Sequence, residues 1–205
     1  MIIYLHGFNS SPESFKANVV KHRLAELGRA DEFLCPKLPW RFSDAAALID
    51  NMLVSLAGKP VCLIGSSLGG FYATHFAEKY GLAAVMVNPA VKPYESLAKY
   101  QGPQRNLYTG EEYVLEPAHV DELLAIDVPK ITRHQRYLLL TKTGDEVLDY
   151  RQGAQKFIGA SQIVIEGGDH AFQDFGLYVD RVIVFADNHA AEGIMPSVHS
   201  NPRSP

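Results

Sequence analysis

The sequence predicts a three-layer α/β fold: a mostly parallel sheet of about six strands with helices on both faces and one short cap-like insertion. Two observations carry this expectation. Short apolar runs alternate with amphipathic stretches along most of the chain, and several runs are continuously apolar, as strands buried on both faces are. The clearest run, Val61-Cys62-Leu63-Ile64, leads into Gly65-Ser66-Ser67-Leu68-Gly69-Gly70 and then into a helical pattern. With 205 residues, 47% of them apolar, the chain suits one domain with a sizeable core.

Taken in order, the first strand is 2–5. A helix follows over 11–28, with Ser11 as N-cap and Pro12 at the first helical position. The second strand is 32–35. Ala45, Leu48, Ile49, Met52, Leu53 and Leu56 then recur at helical spacing and predict a helix over 44–57, with Ser43 placed to cap it and Gly58 to end it. Strand 61–64 precedes a helix over 68–80 that stops at Gly81, and strand 84–87 comes next. From about 90 to 136 the chain is richer in Pro, Gly, Tyr and charge, and the gap is longer than a crossover helix needs. It reads as an insertion, with a short amphipathic helix marked by Val120, Leu123 and Leu124 after Pro117. Strand 137–141, helix 150–158, strand 162–165 and a last helix over 173–186 complete a domain of residues 1–187. The final 18 residues, 188–205, show no periodicity and are expected to form a flexible tail.

Charge and composition exclude several classes. Nineteen Lys and Arg against 23 Asp and Glu give a net charge of −4, without the basic excess of a nucleic-acid binder. Ten Phe, ten Tyr and one Trp with 20% charged residues make a globular balance rather than a disordered one. The N-terminus, Met1-Ile2-Ile3-Tyr4, does not read as a signal peptide and no segment reads as a membrane span, so a soluble cytoplasmic protein is expected. Cys35 and Cys62 sit in short apolar runs and read as reduced thiols. No metal-ligand spacing is visible, and neither metal nor cofactor is expected.

The glycine–serine turn carries the chemistry. In G-x-S-x-G between a strand and a helix, the chain turns so sharply that the central serine projects its hydroxyl from strained backbone, while the glycines keep side chains out of the crowded approach. Ser67 is therefore the candidate nucleophile; centring the motif on Ser66 would put Ile64 and Leu68 where glycines are required. A serine needs a base, and the base an orienting acid. Strand 137–141 is followed by Gly144-Asp145-Glu146-Val147, and strand 162–165 by Gly167-Gly168-Asp169-His170, which makes Asp145 the acid and His170 the base. Glu146, Asp149 and Asp169 are nearby competitors for the acid. His22, His75, His119, His134, His189 and His199 fall too early in the chain or outside a strand-end loop. The oxyanion of an acyl-transfer intermediate needs two N–H donors: Leu68, after the nucleophile, and Phe8, in the loop His6-Gly7-Phe8-Asn9 after the first strand. His6 is expected to fix that loop by hydrogen bonding.

These segments, together with Tyr4 to Pro12, Asn88-Pro89-Ala90, Thr143 to Tyr150 and Glu166 to Phe172, resemble the small bacterial YqiA-like esterases of the alpha/beta-hydrolase superfamily. The resemblance implies the three-layer alpha/beta-hydrolase fold and a carboxylic-ester or thioester hydrolase with Ser67, Asp145 and His170 as its triad. The expected substrate is a small-molecule ester of short to medium acyl chain. Tyr94, Tyr108, Tyr113 and Leu124, with Leu97, Tyr100 and Leu107, are the apolar candidates in the insertion to line its pocket; packing of the insertion onto the sheet would explain them equally well. Two alternatives stay open. An acyl-CoA thioesterase would use the same triad, with Lys130, Arg133, Arg136 and Lys142 near the insertion's end as basic groups for CoA, and a non-catalytic binding protein would keep the fold without turnover. Oligomeric state is not legible.

Overall fold

Six of the apolar runs become strands of one wholly parallel sheet in the computed structural model, which describes residues 1–106 and 108–190. The strands are β1 (Ile2–Leu5), β2 (Phe33–Leu34), β3 (Cys62–Ser66), β4 (Ala83–Val87), β7 (Tyr137–Lys142) and β8 (Ser161–Ile165), in spatial order β2-β1-β3-β4-β7-β8. β3 and β4 are buried along their whole length, which is why they read as unbroken apolar runs. Helices α1 (Phe15–Glu26), α2 (Phe42–Ser55), α3 (Leu68–Tyr80), α6 (Tyr150–Lys156) and α7 (Val179–His189) cover the two faces.

Alternation of side chains along the strands divides the apolar residues into two cores. Ile3, Leu5, Leu63, Ala84, Met86 and Leu139 pack with α2, α3 and the insertion. Ile2, Tyr4, Cys62, Ile64, Val85, Val87, Leu138 and Leu140 pack on the other face, with Ala17, Val20 and Leu24 of α1 and Val182, Ile183 and Ala186 of α7. Because every strand runs the same way, the loops after β1, β3, β4, β7 and β8 leave one edge of the sheet, where such folds place their ligands.

Several boundaries move. Helix α1 starts at Phe15 with Ser14 as N-cap, because Ser11 to Ser14 forms a turn (Ser14 N–H to Ser11 O, 3.1 Å) with the Ser11 hydroxyl accepting from Glu13 N–H at 3.1 Å. Ser43 lies inside α2, whose N-cap is Arg41, and its N–H donates to Glu122 Oε2 of the insertion at 2.8 Å. The last helix begins at Val179, after a 3₁₀ turn over Phe175–Leu177, and runs through Asn188 and His189. The rest of the expected tail, 191–205, lies outside the described residues.

The insertion holds α4 (Pro93–Leu97), an antiparallel hairpin of β5 (Gly102–Arg105) and β6 (Glu112–Leu115), and α5 (Pro117–Asp121), followed by a 3₁₀ turn at Leu124–Ile126. Leu97, Tyr113, Leu115, Val120 and Leu123 anchor it in the α2–α3 core. Cys35 and Cys62 are free thiols, both pushed up to about 12 by burial. Among the described residues no helix is long and apolar enough to cross a membrane, and no cluster of three His, Cys, Asp or Glu side chains could hold a metal ion.

Candidate active site

The turn between β3 and α3 is as tight as the glycines imply. Ser67 sits at φ 54° and ψ −122°, a conformation that non-glycine residues rarely hold unless neighbouring packing enforces it. A Cβ on Gly69 would run into the Leu5 carbonyl, and one on Gly70 would lie 2.6 Å from Pro89 Cβ, so β1, the turn and the residues after β4 are in direct backbone contact. Ser67 N–H is itself held by Val87 O at 3.2 Å.

The other two candidates converge on this serine from loops after β7 and β8. His170 Nε2 lies 3.1 Å from Ser67 Oγ, and His170 Nδ1 lies 2.7 Å from Asp145 Oδ2. Asp145 is nearly inaccessible, its side chain 2% exposed. Its other oxygen accepts from the N–H groups of Val147 (2.9 Å) and Leu148 (2.8 Å), so the carboxylate is fixed from both sides. With Oδ2 accepting from Nδ1–H, Nε2 is left unprotonated and able to receive the serine proton. The rival carboxylates have other partners: Glu146 accepts from His170 N–H at 3.0 Å, Asp149 caps α6 through Arg151 N–H at 3.0 Å, and Asp169 accepts from Phe172 N–H at 2.8 Å. Of the other histidines, His119 belongs to the capping box of α5 and His189 Nδ1 meets Phe185 O at 2.9 Å, whereas His199 lies outside the described residues.

The loop after β1 is held from several directions. His6 is buried; its Nε2 accepts from Leu38 N–H at 3.1 Å, which leaves Nδ1 to donate to Gly7 O at 3.0 Å. Burial lowers its pKa, in keeping with a neutral ring. Asn9, at φ 50°, accepts from the Tyr113 hydroxyl at 2.7 Å and donates to Gln104 Oε1 at 3.2 Å, and Asn106 Nδ2 donates to Ser10 O at 3.0 Å. Tyr113 stacks on Trp40 at 4.4 Å, and burial pushes its hydroxyl up to about 12. The insertion thus clamps the loop that carries Phe8. Among the described residues, neither Phe8 N–H nor Leu68 N–H donates a hydrogen bond.

Two supporting residues are missed as such in the sequence reading: Asn88 has no role there, and Lys142 appears only as a basic group for CoA. Asn88, 1% exposed and at φ 40°, donates from Nδ2 to Asp169 O (3.1 Å) and His170 O (3.2 Å), while its Oδ1 accepts from Lys142 N–H at 2.9 Å. One amide therefore ties the end of β4 to the end of β7 and to the backbone of His170. The signal was a lone polar residue closing an apolar strand before Pro89. Lys142 is buried at the end of β7, ion-paired to Asp174 at 2.7 Å and lying over the Phe172 ring at 4.7 Å.

Two hollows reach Ser67. One, of about 330 Å³, lies under the insertion between Leu97, Tyr100, Pro93 and the Val147–Leu148 turn. The other, of about 270 Å³, opens between the start of α1 and the insertion, with Lys16, Ser14 and Tyr108 in its wall. Phe8 and His170 border both. Of the expected pocket residues, Leu97 and Tyr100 line the first hollow and Tyr108 the second. Tyr94, Tyr113 and Leu124 line neither: Tyr94 reaches Asp127 at 3.4 Å, Tyr113 supports Asn9, and Leu124 is 52% exposed beside the buried Leu123. Leu107 lies outside the described residues.

Comparison with known proteins places this architecture. Residues 1–187 match the family described as "Uncharacterised protein family (UPF0227)". A relative in Salmonella gallinarum, UPF0227 protein YcfP, is 26% identical over 187 residues, 90% of this chain and 98% of the relative. Among solved structures, mouse alpha/beta hydrolase domain-containing protein 10 superposes with a TM-score of 0.69 at 20% identity, covering 91% of this chain and 89% of its own. Est1E from Butyrivibrio proteoclasticus, solved with ferulic acid bound, gives 0.69 at 16% identity, covering 93% and 89%. These likenesses establish the alpha/beta-hydrolase fold.

Proposed function

The chain belongs to the UPF0227 family, and from that membership and the site's geometry we propose that it is a serine esterase acting on carboxylic esters of short to medium acyl chain. The observation that carries this reading is the unbroken hydrogen-bonded path from Ser67 Oγ through His170 to Asp145, at 3.1 and 2.7 Å. As Ser67 attacks the ester carbonyl, His170 Nε2 takes its proton, and Asp145 holds the ring and stabilises the imidazolium without itself being protonated. The developing oxyanion is received by the Phe8 and Leu68 N–H groups. Collapse of the tetrahedral intermediate returns the proton to the leaving oxygen and forms an acyl-serine. Water, activated by the same histidine, attacks the acyl carbonyl and releases the acid.

The hollow of about 330 Å³ beneath the insertion would receive the acyl chain, and its size suits short to medium chains. None of the four basic residues considered for CoA lines a hollow that reaches Ser67, Lys130 being exposed elsewhere on the surface, so they do not support the thioesterase alternative. Lys142 is buried in its pair with Asp174, and Arg133 and Arg136 line a different hollow beside Gly81, before the start of β4. Treatment with a fluorophosphonate probe should label Ser67, and Ser67→Ala should abolish both labelling and turnover of p-nitrophenyl esters. Turnover that survives Ser67→Ala refutes the reading. A rate maximum at long-chain esters refutes the chain-length preference alone.

A further inference from the structure

The hollow between α1 and the insertion contains a group for which the triad has no use. Lys16, in the first turn of α1, donates through Nζ to Ala171 O at 2.7 Å, the residue that follows His170. Among the described residues no carboxylate lies within ion-pairing distance of it. An ammonium has three N–H donors, so two are left over. Burial pulls its pKa down to about 8, with Asp169 and Asp145 acting in the other direction, so at neutral pH it remains largely charged. The Nζ–Ala171 contact is exposed and Lys16 lines the hollow, so an anion seated there would take the spare donors in place of water, as charge-assisted hydrogen bonds.

We infer that this hollow is a subsite for a carboxylate carried on the leaving-group arm of the substrate, held by the Lys16 ammonium. The inference rests on the esterase reading, and the direction of the arm follows from it. His170 must pass its proton to the departing oxygen, and the wall continues from His170 through Ala171 to Lys16. His170 borders both hollows, so with the acyl chain assigned to the larger one, under the insertion, the alcohol takes this side. About 270 Å³ is room for a small hydroxy acid rather than a large carrier.

The matched substrates are the butyrate ester of 3-hydroxybenzoate and the same compound with its carboxylate methylated. The wild-type protein should show kcat/KM about tenfold or more higher for the anion, the scale of a charge-assisted hydrogen bond. In Lys16→Met that ratio should fall to near one, and Lys16→Arg should restore much of it. A purely structural tie to Ala171 would change both esters equally and leave the ratio alone. A ratio near one in the wild type, or one that Lys16→Met does not alter, overturns the inference while Ser67 labelling keeps the esterase reading intact. If neither ester turns over, calorimetry with 3-hydroxybenzoate on the Ser67→Ala protein decides the subsite. Binding weakened about tenfold by Lys16→Met upholds it, and absent or unchanged binding overturns it. Lys16→Gln, expected to weaken the same binding, provides a second variant in case Lys16→Met does not fold.

Discussion

At the tips of β1 and β3 the backbone leaves no space for a side chain, and in the insertion it leaves a great deal. A Cβ on Gly65 or Gly69 would collide with main-chain atoms, whereas one on Gly102 or Gly110 would meet nothing within 4 Å. The strand tips carry Ser67, and behind them the carboxyl ends of β7 and β8 lead to Asp145 and His170. The insertion contributes hollow walls and a brace on the Phe8 loop. Packing between main chains fixes an atom's place far more tightly than packing between surface side chains does. The difference teaches that Ser67, Asp145 and His170 are set by the sheet, so that under the proposed function substrate preference would reside in the insertion, where sequence can vary at little cost.

The hardest test of that contrast is at Gly69. Gly69→Ala forces a methyl group into the Leu5 carbonyl, so strand and helix must separate. The expected outcome is loss of ester turnover with a clearly lowered melting temperature. Gly110→Ala, with open space but φ +73°, should cost only about 1 kcal/mol of left-handed backbone strain and leave the rate near wild type. Equal melting temperatures for the two variants would break the comparison.

Next in size is the acid. Asp145→Asn should reduce kcat by about 10⁴-fold, because an amide can present its N–H to Nδ1 and stabilise the wrong tautomer. Glu146→Gln keeps an oxygen to accept from His170 N–H and should cost far less. The two rates, measured on one p-nitrophenyl ester, assign the acid; a larger loss at Glu146 would move it by one residue.

What was legible in the sequence follows the same division. β3 and β4 were visible because burial on both faces makes them continuously apolar, and Asp145 and His170 because each follows a glycine turn after an expected strand, the buried β7 and the half-exposed β8. The β5–β6 hairpin was not, because Gly102-Pro103-Gln104-Arg105 has no apolar run and only Tyr113 and Leu115 of the facing strand point inward. The α1 start was misread because Ser11-Pro12 imitates a helix cap while serving a turn that lengthens the Phe8 loop. Leu124 reads as part of a short amphipathic helix and as one apolar candidate for the pocket, but the helix gives way to a 3₁₀ turn and the residue faces solvent. Asn88 escaped assignment because its role appears only when three strand ends are brought together.

That role predicts an intermediate effect. Asn88→Ala removes three hydrogen bonds at the base of the His170 loop and leaves the buried Lys142 N–H without a replacement, a loss of about 1–3 kcal/mol, with smaller losses at the part-buried Asp169 and His170 carbonyls. The melting temperature should fall. If Asn88 positions His170, kcat measured well below melting should also drop about tenfold or more with KM little changed, which a loss of stability alone would not produce. Labelling of Ser67 by fluorophosphonate should slow in proportion.

The smallest effect tests whether the two regions are as separate as their packing suggests. Tyr113 belongs to the insertion, yet its hydroxyl reaches Asn9 at 2.7 Å, next to Phe8 in the loop proposed to hold the oxyanion. Tyr113→Phe keeps the stack on Trp40 and deletes only that hydrogen bond, worth about 0.5–1.5 kcal/mol if it were entirely structural. If the brace aims the Phe8 N–H, the loss appears as a roughly two- to tenfold lower kcat, the same for acetate and hexanoate esters because the acyl hollow is untouched. If Tyr113 instead shapes that hollow, the ratio of acetate to hexanoate rates shifts. An unchanged kcat would mean that the strand tips hold the loop unaided and that the insertion acts on substrate choice alone.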